Sequence, residues 1–108
     1  MTMLFEDRER AAEWAFAHEG EVRFLAHCSA LKALASYAAT RMDLSDDAAG
    51  DYAKRLVAAA VDGAKDDALI ERVRADLAGH GIAETAEALR ARLVASLAQA
   101  ALANKAAP

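Results

Sequence analysis

MDLSDDAAGDYAKRLVAAAVDG, residues 42–63, contains the start, the apolar face and the end of one predicted helix. Ser45 is a favourable N-cap, and Asp46 and Asp47 follow it, where their negative charges interact well with the helix dipole. Gly63 is placed to end the helix. Between these ends the apolar residues recur at helical spacing, as Ala49, Tyr52, Ala53, Leu56, Val57, Ala60 and Val61. The stretch therefore predicts an amphipathic helix that buries one face.

Two further helices are predicted after this one. Asp66 or Asp67 is expected to cap the third helix, and Gly79 and Gly81 are expected to end it. Its apolar stripe is Leu69, Ile70, Val73 and Leu77. Thr85 is expected to cap the fourth helix, which has Glu87 in its first turn. The inward-facing residues of the fourth helix are predicted to be Leu89, Leu93, Val94, Leu97, Ala100 and Ala101.

The segment before residue 42 predicts a longer helix than the other three. Read from Asp7 to Met42 it would be about 35 residues or ~50 Å long, whereas its partners would be about 15–20 residues each. Gly20 is a predicted break, because glycine weakens a helix interior. Beyond it, the side expected to face the other helices is Val22, Phe24, Cys28, Leu31, Leu34, Ala35 and Ala38. We therefore predict an N-terminal arm (residues 1–19), a four-helix bundle (residues 20–104) and a frayed tail (residues 105–108).

The arm is not an ordinary polar tail. It carries Leu4, Phe5, Trp14 and Phe16, with charged residues between them. Phe5, Ala12 and Phe16 fall on one helical face. An amphipathic arm with exposed aromatic residues is typical of a segment that becomes ordered on a partner. The alternative is that Trp14 and Phe16 fold back onto the bundle as part of its core.

The composition favours one small all-α domain. The chain has 108 residues, a formal net charge of −4 and one Cys; 56% of its residues are hydrophobic but only 6% are aromatic, because Ala is so frequent. A single Cys cannot form an internal disulfide and points to a reducing compartment. The segment MTMLFEDRER does not resemble a signal peptide, and no apolar run predicts a membrane span. The acidic charge disfavours nucleic-acid binding. We expect a small cytoplasmic helical protein.

No group of residues predicts catalysis, a metal site or a cofactor. His18, His27 and His80 lie in three different segments, and none belongs to the Glu-x-x-His repeats of helical di-metal sites. Cys28 lies on the apolar side of the first helix, which favours a small buried residue over a reactive thiol. The segment from Gly79 to Gly81 lacks the Lys and Ser/Thr of a phosphate-binding loop and is predicted to be a turn. The expectation is a protein that is not an enzyme.

Four segments carry a resemblance to a known family. They are FEDRERAAEWAFAHE (5–19), VRF (22–24), DYAKRLV (51–57) and VRADLAGHGI (73–82). These segments, in register over almost the whole chain, resemble the zeta subunit of alpha-proteobacterial F-type ATP synthases. The resemblance implies a four-helix bundle with a protruding, partly disordered amphipathic N-terminal arm. The arm would inhibit ATP hydrolysis by the catalytic head of the synthase, wedged between its alternating subunits and the central stalk.

The resemblance also implies which residues bind the partner. They lie between Met1 and Glu19 and are Phe5, Asp7, Arg8, Glu9, Arg10, Glu13, Trp14 and Phe16. The aromatic residues would bury apolar area in a crevice, while Arg8 and Arg10 would pair with carboxylates. The protein would be a monomer when free, with no nucleic acid as partner and no direct insertion into a membrane. It would be cytoplasmic and peripheral on the inner membrane through the synthase.

The sequence departs from the family at three places. Leu25 to Leu34 reads LAHCSALKAL and keeps only Lys32 of a usually basic, amide-containing stretch. Ala15 stands where relatives tend to carry Lys, and Tyr37 replaces a usual Trp. The lost positive charge near the arm predicts weaker or altered docking.

Three alternatives to the inhibitory function implied by the resemblance stay open. The first is a diverged member that acts as a docking or small-ligand-binding helical module without inhibitory activity. The second is a homodimer formed through Phe5 and Trp14. The third is pH-dependent binding through His18 and His27, which flank the junction of the arm and the bundle.

Overall fold

Four α-helices make up the computed structural model, which describes the backbone of residues 2–106 and the side chains of residues 7–103. Helix α1 is Thr2–Arg41, α2 is Asp46–Val61, α3 is Asp66–Gly79 and α4 is Ala86–Ala106. No β-strand occurs in residues 2–106. The predicted all-α class is confirmed.

Helix α1 is the element on which the others pack. Helices α2 and α4 contact it along its second half, and α3 contacts all three other helices. The buried core draws on every helix and consists of Ala30, Leu31, Leu34, Ala35, Ala38, Met42, Tyr52, Leu56, Leu69, Ile70, Val73, Leu77, Leu89 and Leu93. The core thus begins at residue 30, well inside α1.

The first three helices end in the same way. The residue after each C-cap has a left-handed backbone, with φ 56° at Asp43, 107° at Gly63 and 76° at Gly81. In each case the next amide donates to a carbonyl five residues back; Ile82 N, for example, lies 2.9 Å from Leu77 O. This double hydrogen-bonded ending is the Schellman motif, and glycine suits it because it has no Cβ. The predicted stops at Gly63 and Gly81 are confirmed.

The helix starts were predicted correctly in two of three cases. The Ser45 hydroxyl accepts from the Ala48 amide at 3.2 Å, and the Thr85 hydroxyl accepts from the Ala88 amide at 3.0 Å. The predicted cap of α3 by Asp66 or Asp67 is wrong, because Lys65 occupies the N-cap position and makes no side-chain cap hydrogen bond. The two carboxylates lie in the first turn instead, where they still face the positive end of the helix.

The predicted apolar faces were too wide. Phe24, Val61 and Val94 are exposed by 50%, 61% and 59%, and Ala101 is also exposed, so none of these four belongs to the core. Phe24 precedes Ala26, the first buried residue of α1 among the described side chains, and Val61 is the last residue of α2. Val94 lies at the edge of its stripe, and Ala101 lies near the end of α4. Small or flexible residues outside the predicted stripes are buried instead, namely Ala26, Ala30, Ala39 and Met42.

The predicted break at Gly20 is wrong, because α1 is continuous across it. One glycine among good helix formers costs about 1 kcal/mol relative to alanine, which is too little to end a helix. The long α1 makes the molecule elongated, with extents of 67 × 28 × 27 Å and a radius of gyration of 17.9 Å. A compact chain of this length would have a radius of about 13 Å. The boundary after residue 19, the partial disorder of the arm and the fraying of residues 105–108 stay predictions.

Candidate partner-binding surface

Residues 7–21 of α1 are not covered by the other helices. Every residue from 7 to 21 is exposed, and the first buried residue of α1 is Ala26. Trp14 is 68% exposed and Phe16 is 77% exposed, so neither aromatic side chain has folded back into the core. Residues 7–21 are therefore the candidate surface for contact with another molecule.

The two aromatic side chains point to opposite sides of the helix. Residues two positions apart are separated by about 200° around a helix axis. Trp14 stacks on the ring of His18, one turn later, with centroids 5.0 Å apart and planes 5° apart. This stack holds the indole along one side of α1, while Phe16 projects from the other.

Charged side chains surround the aromatic pair. Asp7, Arg8, Glu9, Arg10 and Glu13 are all exposed, as the sequence prediction for a contact surface requires. Within residues 7–103 none of these five forms an ion pair, and the nearest pair joins Glu19 to Arg23 at 3.2 Å. The side chain of Phe5, the remaining predicted contact residue, lies outside the described residues. The charged groups are therefore available to a partner.

The exposed part of α1, which includes residues 7–19 of the arm, ends where α1 meets the other helices, at residues 26–27. Ala26 is 8% exposed, and His27 Nε2 lies 2.7 Å from Asp66 Oδ1 at the start of α3. Sequence reasoning missed Asp66 as a partner of His27, because 39 residues separate them in the chain. The contact ties the base of the arm to α3.

The segment from Leu25 to Leu34 is divided between two environments. Ala26, Ala30, Leu31 and Leu34 are buried against the other helices. Leu25 is 56% exposed, and Lys32 is exposed as well. Only the outer positions of this segment can therefore meet a partner.

Tyr37 links α1 to the segment before α4. Its hydroxyl donates to the Glu84 carboxylate at 2.7 Å and accepts from Arg41 at 3.0 Å. The guanidinium of Arg92, on α4, lies 3.5 Å above the ring centroid, a cation–π contact. Arg41 and Glu84 are also an ion pair, at 3.6 Å. The Tyr37 hydroxyl thus joins Arg41 and Glu84 in one polar network.

A cavity of about 340 Å³ lies at the end of the bundle away from the arm. It is lined by Met42, Leu44, Tyr52, Arg55, Leu56, Arg72, Asp76 and His80. The Tyr52 hydroxyl donates to Asp76 at 2.8 Å. Burial of Tyr52, together with this hydrogen bond to a carboxylate, raises the pKa of the phenol well above its usual value of 10.0. Tyr52 is thus held neutral as a structural donor.

The described residues hold no other arrangement that indicates chemistry. Residues 7–103 contain no group of three or more His, Cys, Asp or Glu side chains placed to hold a metal ion. Cys28 is partly buried in α1. Within the described chain, the membrane-span criterion of length and apolar character is met by none of the helices.

These features define a class of protein: a small all-helical domain whose longest helix carries exposed aromatic residues that no other helix covers. The sequence profile of the family described as ATPase inhibitor subunit zeta matches residues 1–103, and the chain belongs to that family. The resemblance seen in the sequence is thereby confirmed, and the family name indicates an inhibitor subunit of an ATPase. Comparison with curated proteins and with solved structures returned no match.

Proposed function

We propose that this protein binds the catalytic head of an F-type ATP synthase and inhibits ATP hydrolysis by blocking rotation through its N-terminal arm. The single observation that carries the proposal is the exposure of Trp14 and Phe16 on a segment without buried residues, in a chain of an ATPase inhibitor family. The role is non-enzymatic. The protein would be a monomer when free and would reach the membrane only as a peripheral component of the synthase.

The arrangement of the arm supports binding in a crevice. A flat surface can cover only one side of a helix, so it could bury Trp14 or Phe16 but not both. Arg8 and Arg10 are also two positions apart and project about 200° from each other. A crevice between subunits meets both aromatic residues and both cations at once. A helix bound in such a crevice would prevent the subunits on either side from moving relative to one another.

The bundle has two tasks in this proposal. It anchors the arm, because the His27–Asp66 contact and the buried Ala26 join α1 to the other helices just beyond the exposed segment. It also limits insertion. The molecule is 27–28 Å across its two short axes, whereas a single helix with its side chains is about 10–12 Å wide. The arm can therefore enter a crevice that excludes the bundle.

The test is steady-state ATP hydrolysis by the isolated catalytic head of an alpha-proteobacterial synthase. It is titrated with the intact chain and with a version that begins at Gly20. The core begins at Ala30, so the shortened chain keeps all its core residues, and circular dichroism with thermal unfolding confirms that it folds. We expect inhibition by the intact chain only. Equal inhibition by both chains would show that the arm is not the inhibitory element.

A second candidate function is a docking or small-ligand module without inhibition. The observation that favours it is the cavity of about 340 Å³, which lies within the range of small-molecule sites. This function predicts that the intact chain binds the head, or a small ligand, while the rate of ATP hydrolysis stays unchanged. A pull-down beside the hydrolysis assay separates the two candidates.

A further inference from the structure

Gly20 has no structural reason to be glycine within this molecule. It lies in the middle of α1, where glycine is the least favourable residue apart from proline. Its backbone is not left-handed, unlike that of Gly63 and Gly81. A Cβ built on Gly20 would meet no atom within 4 Å. Neither the backbone conformation nor the packing of the described chain requires the missing side chain.

Gly20 belongs to a stripe that continues the packing face of α1. Glu9, Glu13, Phe16 and Gly20 are spaced by four, three and four residues, which places them on one face of the helix. After Gly20 the same face continues past Arg23 and Phe24, and the spacing of four, three and four residues recurs at His27, Leu31, Leu34 and Ala38. His27 contacts α3, and the other three are buried against the neighbouring helices. The stripe formed by Glu9, Glu13, Phe16 and Gly20 therefore lies on the packing face of α1, but no other helix of the described chain covers it.

The stripe also carries two carboxylates, and the one cation at helical spacing from them is Arg10, three positions before Glu13. Glu9 and Glu13 are one turn apart, a spacing at which like charges repel. No Arg, Lys or His of residues 7–103 forms an ion pair with either of them. A basic group on a partner would relieve this repulsion, so the charge of the stripe indicates the charge of its occupant.

We propose that Gly20 is a close-packing contact for a helix of the ATPase head. This helix would continue the packing of α2–α4 along α1. It would cross at Gly20, where the absent side chain lets the two backbones approach, and carry basic groups toward Glu9 and Glu13. The inference rests on the proposed function. It adds Gly20 to the contact residues predicted from the sequence.

The test compares Gly20→Ala with Gly50→Ala in the full chain. Gly50 is a matched control: it is exposed in the interior of α2, and a Cβ there also meets nothing within 4 Å. Both substitutions favour helix locally, by about fivefold in the helix–coil equilibrium, which amide hydrogen exchange measures. For inhibition of ATP hydrolysis we expect no change with Gly50→Ala. With Gly20→Ala the half-inhibitory concentration should rise about tenfold or more, because a methyl group is forced into a close contact.

A size series separates a contact from a hinge. Side-chain volume rises from Ala to Ser to Gln at position 20, whereas helix propensity is highest for Ala and lowest for Ser. A close contact predicts that inhibition weakens most with Gly20→Gln. A hinge predicts that it weakens most with Gly20→Ala, the stiffest helix, and that result would overturn the proposal.

The charge of the partner is tested with Glu9→Gln combined with Glu13→Gln. The double variant should weaken inhibition and make it less sensitive to salt, while Glu87→Gln, at an exposed position in α4, should leave both unchanged. Unchanged or tighter inhibition by the double variant would overturn the predicted basic partner. If the unaltered chain does not inhibit at all, the proposed function has failed. If it inhibits and Gly20→Ala matches it, only the inference about Gly20 has failed.

Discussion

Replacing the two exposed aromatic residues of the arm gives the sharpest view of how it binds. A buried aromatic side chain removes about 150–250 Å² from water. Phe16 is 77% exposed in the free protein, so roughly 150 Å² of it is available to a partner. At about 25 cal/mol per Å² this sets an upper limit of ~4 kcal/mol for Phe16→Ala. Interface anchor residues typically realise only part of this limit. We therefore expect Phe16→Ala to lose ~2 kcal/mol of binding free energy, which raises the half-inhibitory concentration about 30-fold.

Trp14→Ala should weaken inhibition by a similar factor, because Trp14 is 68% exposed on the other side of the helix. The double variant should lose about the sum of the two free energies, since opposite sides of a helix share no contacts. The assay is inhibition of ATP hydrolysis by the catalytic head, with Val94→Ala, an exposed apolar residue of α4, as the control. Thermal unfolding should be unchanged in all variants. If either single variant inhibits as well as the unaltered chain, the arm does not bind in a crevice. The partner would then contact only one side of the helix, as a flat surface does.

Three further predictions concern the bundle. Asp43→Gly should raise the free energy of unfolding by up to about 1 kcal/mol in thermal unfolding, because Asp43 holds a left-handed φ of 56° at the end of α1; a decrease would contradict this. Tyr37→Phe should lower it by about 1–2 kcal/mol in urea unfolding, since the Glu84 carboxylate loses a half-buried hydrogen-bond donor. Tyr52 has a pKa raised by burial and by Asp76, so the stability it contributes is complete below pH 10. That stability falls above pH 10, where the unfolded chain ionises first, by at most about 1.4 kcal/mol per pH unit. Urea unfolding at pH 9, 10 and 11 should show this slope, and Tyr52→Phe should remove it.

Features set by neighbouring residues were predictable from the sequence. Ser45 and Thr85 cap their helices through amides three residues away, and Gly63 and Gly81 end theirs through carbonyls of the preceding turn. The exposure of residues 7–21 followed from the unequal lengths of the predicted helices. Each of these inferences depends on a short stretch of chain.

Features set by distant residues were not predictable. The Tyr37–Glu84 and His27–Asp66 contacts join residues 47 and 39 positions apart, and which residues meet depends on how the helices are rotated. The same rotation decides that Val61 and Val94 are exposed while Ala39 is buried. The break predicted at Gly20 was wrong, because a single glycine among good helix formers costs too little to end α1.

The continuity of α1 changes the thermodynamics of the arm. A separate peptide must nucleate its own helix, a step with an equilibrium factor of about 10⁻³. The arm does not need this step, because residues 26–41 of the same helix are held by the bundle and extension adds one hydrogen bond per residue. When the arm binds, it therefore loses only the conformational entropy of extending an existing helix, and not the entropy of nucleating a new one. The folded domain thus lowers the free-energy barrier to ordering the segment attached to it, even where it makes no contact with the partner.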